Sequence, residues 1–318
     1  MYIFIINPTA GNGRAKRIYE KLLHDSIYRE LNPRCYFTKY SGHAEVIVEQ
    51  ISDEIDGQPV KGIVVIGGDG TLHEVVNGLL LRHLPISFIP AGSGNDFARG
   101  MKLSKSPEAT LKAIRNNGRT VDYWLGEFVA SGFQNRRFIN CIGFGFDAVV
   151  AASANKSRYK KLFNQFFQGS VIYILSLLKQ LFFYKPISIT VTLDGKEKTF
   201  SRCLFFIVNN HPYIGGGMKV NPHAVNNEDT YSIIVVDSIS KWKVLALFGT
   251  VFSGRHLRFK GISTFEARDI TLKSSTKQPV PMQVDGETSS ATYCRIQKPN
   301  KPISLQVAEI NKLSKLDK

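Results

Sequence analysis

Apolar positions in the first third of the chain come in short unbroken runs rather than alternating with polar ones. Tyr2–Ile6 and Ile63–Ile66 carry no polar residue, and Ile86–Ile89 carries only Ser87. Strands without a polar face are buried on both sides, as in parallel sheets. Cys35–Thr38 reads as a further strand. Between these runs the spacing becomes helical: after Gly70, apolar residues fall at Leu72, Val75, Val76, Leu79 and Leu80, and Pro85 closes the segment. Helices are also expected from Ala15 to Leu31, from Ser41 to about Ile55 and from Pro107 to Asn116. Alternating strand and helix predicts an α/β domain built on a parallel sheet.

From Arg119 onward the alternation stops. Phe138–Ile142, Ile187–Leu193, Thr199–Asn209, Tyr231–Val236, Ser263–Lys273 and Pro281–Val284 read as strands, with Asp194-Gly195 and Asp285-Gly286 as turns. This predicts a second, antiparallel β-sandwich-like domain with one or two helices. The change lies between Arg119 and Phe133, dividing residues 1–125 from 126–302. Ile303–Ala308 is a last strand.

Each early apolar run ends in small residues. Ile6 leads into Asn7-Pro8-Thr9-Ala10-Gly11-Asn12-Gly13, Ile66 into Gly67-Gly68-Asp69-Gly70-Thr71, and Ile89 into Pro90-Ala91-Gly92-Ser93-Gly94-Asn95. Glycines there are expected to reach positive φ and to let a ligand approach the backbone. Turn N–H groups and helix N-termini together cradle phosphate. The carboxylate of Asp69 repels phosphate unless Mg²⁺ or a hydroxyl lies between. Turns that follow consecutive parallel strands lie side by side at the edge where open sheets bind nucleotides. None has Walker A spacing.

The chain has 318 residues, a net charge of +15 and four cysteines. The charge favours nucleotide, nucleic acid or anionic lipid headgroups as partners. Lysine and arginine are scattered without a nucleic-acid-binding signature, so no nucleic-acid partner is expected. The cysteines are far apart and suit a reducing cytosol. No apolar run approaches the ~20 residues that span a bilayer, and no signal sequence is expected, since Met1–Asn7 is too short for its apolar region and carries no basic residue. A cytoplasmic location follows. Tyr159–Pro186 is rich in aromatics and leucine and carries Lys160, Lys161, Lys179 and Lys185. It is expected to be a helix, either lying on a membrane interface, forming a lipid-receiving groove, or packed on the β domain.

GGDGTLHEVVNG followed by PAGSGNDFA resembles the catalytic domain of the diacylglycerol kinase family, which includes bacterial lipid kinases and sphingosine kinases. GGDGT alone is shared with NAD kinases, and the second motif points to the lipid-kinase branch. The resemblance implies an NAD-kinase/phosphofructokinase-like first domain, to which 303–318 can return. It implies ATP as phosphoryl donor, held by Asn7, Thr38, Gly67, Gly68, Asp69, Gly70, Thr71, Glu74, Asn77, Gly92, Ser93 and Asn95. Asn7 serves equally well as a helix cap, and Glu74 and Asn77 as a solvated helix face. Mg²⁺ is implied twice. One ion acts with Asp69. Another is held by Glu228 and the carbonyls of Val225 and Thr230, in a segment where the family's Pro-x-Ala-x-x-Asp-Asp-Gly reads Pro222-His223-Ala224-Val225-Asn226-Asn227-Glu228-Asp229. Asn227 there replaces an aspartate and Asp229 a glycine. Val284-Asp285-Gly286-Glu287 resembles the family's Asp-Gly-Glu, where the general base sits. Glu287 is favoured as base, with Asp285 as rival or positioning partner. The implied acceptor is diacylglycerol or a related lipid alcohol at a membrane surface, met by a peripheral protein with room for a homodimer. A soluble-substrate kinase and a non-catalytic nucleotide-binding regulator remain as alternatives.

Overall fold

The computed structural model describes residues 1–51, 54–79, 83–156 and 180–308. They form two compact units: Met1–Tyr123 joined by the chain from Lys301, and Trp124–Asn300.

In the first unit, β1 (Tyr2–Ile6), α1 (Ala10–Leu22), α2 (Ser26–Glu30), β2 (Pro33–Phe37) and α3 (His43–Gln50) lead to a small hairpin of β3 (Glu54–Ile55) and β4 (Gln58–Pro59). Then come β5 (Ile63–Gly67), α4 (Asp69–Leu79), β6 (Ile86–Pro90), α5 (Asp96–Gly100), α6 (Pro107–Arg115) and β7 (Thr120–Tyr123). The expected helix over 15–31 is broken because Asp25 takes the Ile27 N–H at 2.8 Å and starts α2. The helix expected to reach Ile55 stops at Gln50, since Ile51 is already extended.

In the second unit, β8 (Gly126–Ala130), β9 (Phe133–Phe138) and β10 (Cys141–Gly145) precede α7 (Phe146–Lys156). They are followed by β11 (Ile187–Leu193), β12 (Lys196–Asn209), β13 (Tyr213–Ile214), β14 (Met218–Lys219), β15 (Tyr231–Asp237) and α8 (Lys241–Leu247). The unit ends with β16 (Ile262–Ala267), β17 (Asp269–Ser274), β18 (Val280–Val284), β19 (Glu287–Ala291) and β20 (Tyr293–Gln297). A last strand, β21 (Ile303–Gln306), belongs to the first unit.

The first sheet runs β2-β1-β5-β6-β21-β7, parallel except for β21 against β7. Ile3 to Ile6 and Ile63 to Ile66 are at most 1% exposed, as strands without a polar face require. Ile6 lies beside Ile66, and Gly67 beside Pro90. This register brings the ends of β1, β5 and β6 level, and their turns lie in a row. The second unit is an antiparallel sheet ordered β19-β18-β10-β12-β11-β17-β20-β8-β9, with β15 and β16 branching from β12. Phe138, Phe144, Phe206, Tyr231 and Met282 fill its core without exposure. Asp194-Gly195 and Asp285-Gly286 are hairpin turns with positive φ at both positions, the geometry that matches strand twist.

Two expected strands are divided. Ser263–Lys273 breaks at Arg268, whose N–H, with that of Asp269, is taken by the Asp194 carboxylate. Phe138–Ile142 breaks at Ile139-Asn140 for a reason given below. Of the expected helix over Tyr159–Pro186, residues 159–179 lie outside the described residues. No helix among the described residues is long and apolar enough to cross a membrane.

Candidate active site

The three turns at the ends of β1, β5 and β6 are locked to one another through backbone. Gly11, Asn12 and Gly13 lie consecutively in the left-handed region, with φ of 58°, 56° and 79°. A Cβ on Gly11 would stand 2.0 Å from the Ala91 carbonyl oxygen. Arg14 Nη1 donates to the Gly92 carbonyl at 3.3 Å, and the Ala91 N–H to the Gly67 carbonyl at 2.7 Å. A Cβ on Gly92 would stand 2.7 Å from Gly68 Cα, and one on Gly67 would stand 2.7 Å from Thr71 Oγ1.

The positive φ expected of Gly67, Gly68, Gly70 and Gly92 is therefore corrected: none of them adopts it. Gly67, Gly68 and Gly92 serve close approach, and Gly70 faces open space. Gly67–Thr71 is a tight strand-to-helix turn, since β5 ends at Gly67 and α4 starts at Asp69. Left-handed backbone appears instead in the first turn and at Asn95, with φ of 52°.

Asn7 joins two of the turns. Its Nδ2 donates to Thr71 Oγ1 at 3.0 Å, and its Oδ1 accepts from the N–H and hydroxyl of Thr9. Thr38 follows β2 directly, 9% exposed, its N–H on the Ile6 carbonyl. Asp69 does what the sequence did not reveal. Its carboxylate accepts the N–H groups of Asp96 and Phe97 at 2.9 and 3.2 Å, so it caps α5, which the third turn opens. In that turn Asn95 Nδ2 donates to the Gly92 carbonyl at 2.8 Å, while Asn95 Oδ1 is buried without a hydrogen-bond partner.

Glu74 and Asn77 need a correction. Both Glu74 oxygens cap α3, accepting from Gly42 and Ala44 at 2.8 and 3.0 Å. Asn77 is 3% exposed, and its amide nitrogen is held by the His73 carbonyl. Neither side chain lies on a solvated helix face. Next to Asn77, Gly78 lets α4 come close to Glu45 and Val48 of α3.

In the second unit, structure separates the two turn carboxylates. Asp285, at φ 49°, accepts the N–H groups of Ile139, Asn140 and Cys141 at 2.7, 2.8 and 3.0 Å. Ile139 and Asn140, held in this way, lie between the two strands and divide β9 from β10, while Cys141 stays paired with Asn209. Glu287, two residues on, is exposed at the start of β19.

Behind this turn lies a buried polar chain. Gln283 accepts the Gly286 N–H at 2.9 Å and donates to Asp147 Oδ2 at 3.3 Å. Burial pushes the Asp147 carboxyl up to about 7 against the weaker opposing effect of Gln283. Its Oδ1 has no partner. Strand β10 runs to Gly145, and Phe146 already opens α7, so Asp147 sits in the first turn of that helix. A Cβ on Gly143 would stand 1.8 Å from Asp147 Oδ2, so that glycine makes the space for the carboxyl. An open groove of about 330 Å³ runs between α7 and the β18–β19 hairpin, lined by Ala148, Val149, Ala152, Ser153, Pro281, Thr288 and Ser289.

His211 lies nearby, 2% exposed. Its Nδ1 accepts the Tyr213 N–H at 3.3 Å, which leaves Nε2–H to donate to Asn140 Oδ1 at 2.6 Å. Burial lowers the ring to about 4, against the attraction of Asp285, so it is neutral and fixed in one tautomer. Sequence reasoning missed Asp147, Gln283 and His211. For Asp147 the available signal was an acidic residue just where a glycine-rich strand gives way to helical spacing.

The segment expected to hold a second metal does not fit one. Asn227 Oδ1 accepts the N–H groups of Asp229 and Thr230, both at 2.9 Å. Asn227 Nδ2 donates to the Val225 carbonyl at 3.4 Å, and Arg268 Nη1 to the Glu228 carbonyl at 2.8 Å. Among the described residues no group of three or more His, Cys, Asp or Glu is arranged to hold a metal ion.

The first unit is a largely parallel sheet whose strands end in glycine turns, and the second is an antiparallel unit with a carboxylate-bearing hairpin turn. Sequence comparison agrees. Residues 1–125 match the diacylglycerol kinase catalytic domain, and residues 140–309 match the YegS C-terminal NAD kinase beta sandwich-like domain. The chain belongs to the diacylglycerol kinase family of bacterial lipid kinases. A Bacillus subtilis relative, provisionally named lipid kinase YtlR, is 35% identical over 96% of this chain and 99% of its own. A diacylglycerol kinase of Mycobacterium tuberculosis is 27% identical over 84% of this chain and 82% of its own. The crystal structure of a diacylglycerol kinase from Bacillus anthracis shares the fold, with a TM-score of 0.68 at 19% identity over 96% of both chains. Family membership brings ATP as phosphoryl donor.

Proposed function

We propose that the protein transfers the γ-phosphoryl group of ATP to the hydroxyl of diacylglycerol or a closely related lipid alcohol. The observation that carries this reading is the groove beside the Asp285–Glu287 turn. Its walls are alanine, valine and proline with three hydroxyls, and Thr288 and Ser289 follow Glu287 directly. Such a lining suits an apolar chain ending in an alcohol.

In this reading residues 1–125 bind ATP and 126–302 bind the lipid. Asn7, Thr38, Thr71, Ser93 and Asn95 surround the phosphates and ribose, with the N–H groups of Gly67, Gly68, Gly70 and Gly92. The unpartnered Asn95 Oδ1 is an acceptor that a ribose hydroxyl would satisfy. Asp69 sets the third turn in place and is the carboxylate able to meet Mg²⁺ arriving with ATP. That ion would offset charge on the phosphates. Glu287 takes the proton of the acceptor hydroxyl, whose oxygen attacks the γ-phosphorus in line as the bond to ADP breaks. Asp285, spent on three N–H groups, positions the turn, and Asp147 anchors it through Gln283.

The second unit also suits a bilayer surface. Between Ser238 and Phe265 there are five basic residues and no acidic one. Trp242 is 72% exposed and Phe252 56%. The ring of Trp242 packs edge-on against Phe182 at 4.7 Å. Basic and aromatic residues presented together fit a peripheral protein on anionic headgroups.

The test is transfer of label from γ-labelled ATP to a lipid extract in mixed micelles. Label in a new organic-phase product is expected. Label only in a soluble product would replace the lipid acceptor with a soluble one. Glu287→Gln should lower kcat by about 10²-fold or more with little change in the KM for ATP, as loss of a general base does. A loss of only a few-fold would remove Glu287 from that role.

A further inference from the structure

A lysine ammonium enters the turn of residues 225–230, where the family resemblance places a cation. Lys298 follows the last residue of β20 and is 6% exposed. Its ammonium donates to the Asn227 carbonyl at 2.9 Å and lies 4.0 Å from the centre of the Tyr231 ring. Tyr231 is fixed by its hydroxyl, which donates to the Gln297 carbonyl at 2.6 Å. The Arg268 guanidinium holds the next carbonyl, that of Glu228. The carbonyls of Asn227 and Glu228, which lie between the expected ligands Val225 and Thr230, thus face positive charges, and these repel a divalent ion beside them.

Asn227 fits this arrangement and not the other. Its amide donates to Val225 while its oxygen accepts two N–H groups. A carboxylate at the same position could accept but not donate. Burial, with Arg268 next and Asp229 opposing, lowers the Lys298 ammonium to about 8, so it remains charged at neutral pH.

We infer that the Lys298 ammonium, seconded by Arg268, takes the place of a structural divalent cation at the 225–230 turn, so that this unit holds its shape without a metal there. The inference does not depend on the identity of the phosphoryl acceptor. It is tested on the full chain without nucleotide, so its failure leaves the kinase reading intact.

The experiment combines thermal unfolding in EDTA, in millimolar Mg²⁺ and in millimolar Ca²⁺ with equilibrium dialysis against each ion. The expected result is one Tm in all three buffers and no stoichiometric ion retained. Lys298→Met should lower Tm by several degrees equally in every buffer, and Lys298→Arg, still a cation, should recover most of the loss. A stoichiometric ion bound by the wild type and lost in Glu228→Gln would overturn the inference, as would a wild-type Tm in Lys298→Met. If Lys298→Met does not fold, the wild-type dialysis and Lys298→Arg decide between the two outcomes.

Discussion

Gly68 and Gly92 lack side chains because each stands where the other's would go. Gly70 lacks one although nothing in the protein lies within 4 Å of the Cβ it would carry. This contrast separates folding from binding. Gly92→Ala should lower stability by roughly 1–3 kcal/mol, because backbone must move to admit the methyl. Gly70→Ala removes a glycine from the first turn of α4 and should leave Tm unchanged or raise it. If phosphate approaches this backbone, Gly70→Ala will still lose ATP affinity, which calorimetry of ATP binding measures directly. Retained affinity would show that no ligand comes close to Gly70. At Asp147 the argument concerns pH. Its folded carboxyl is raised from 3.8 to about 7, so the folded state holds a proton that the unfolded state releases. Stability therefore falls as pH rises from about 4 to 7, and the cost is complete above 7. Asp147→Asn should unfold several degrees above the wild type at pH 8 and match it near pH 4. Motif spacing brought the glycines, Asp69, Asp285 and Glu287 to notice. It could not show that Asp285 spends its carboxylate on three N–H groups of a distant strand, because that pairing joins residues some 145 apart in sequence.

At the scale of elements, the first unit is held by side chains that cap helices other than their own. Glu74 of α4 caps α3, and Asp69, also of α4, caps α5. One helix thereby fixes two neighbours. Glu74→Ala should cost about 1 kcal/mol, as lost caps do, and free the N-terminus of α3 to fray. Hydrogen exchange at Ala44 and Val46 reports this directly, and unchanged protection would show that the cap is dispensable. Periodicity found α3, α4 and α6, because each carries a continuous apolar stripe. It missed the break between α1 and α2 and the end of α3 at Gln50, where an Asx cap and an extended residue override the pattern. The two divided strands share a cause: a distant carboxylate takes N–H groups that the apolar pattern had assigned to a ladder.

For the molecule as a whole, the change from alternating strand and helix to strands alone was visible in the sequence, because burial on both faces and hairpin chemistry leave different patterns. Sheet order was not visible. Nothing local in Ile303–Gln306 says that it enters the first sheet between β6 and β7. There Leu305 pairs beside Ile86 and is 2% exposed. Deleting the chain from Lys301 should strip β7 of its partner, lower the Tm of the first unit and abolish ATP binding while the second unit keeps its β signal by circular dichroism. Full ATP affinity in the truncated protein would show β21 to be an accessory.

The same strand sets the order in which the chain can finish as it leaves the ribosome. Residues 1–123 emerge first, yet β7 must wait for β21, and β6 keeps an open edge until the last strand arrives. Every strand of residues 124–300 pairs within that span. The unit made first is thus completed last, and a nascent chain halted anywhere before Ile303 lacks the strand that joins β6 to β7.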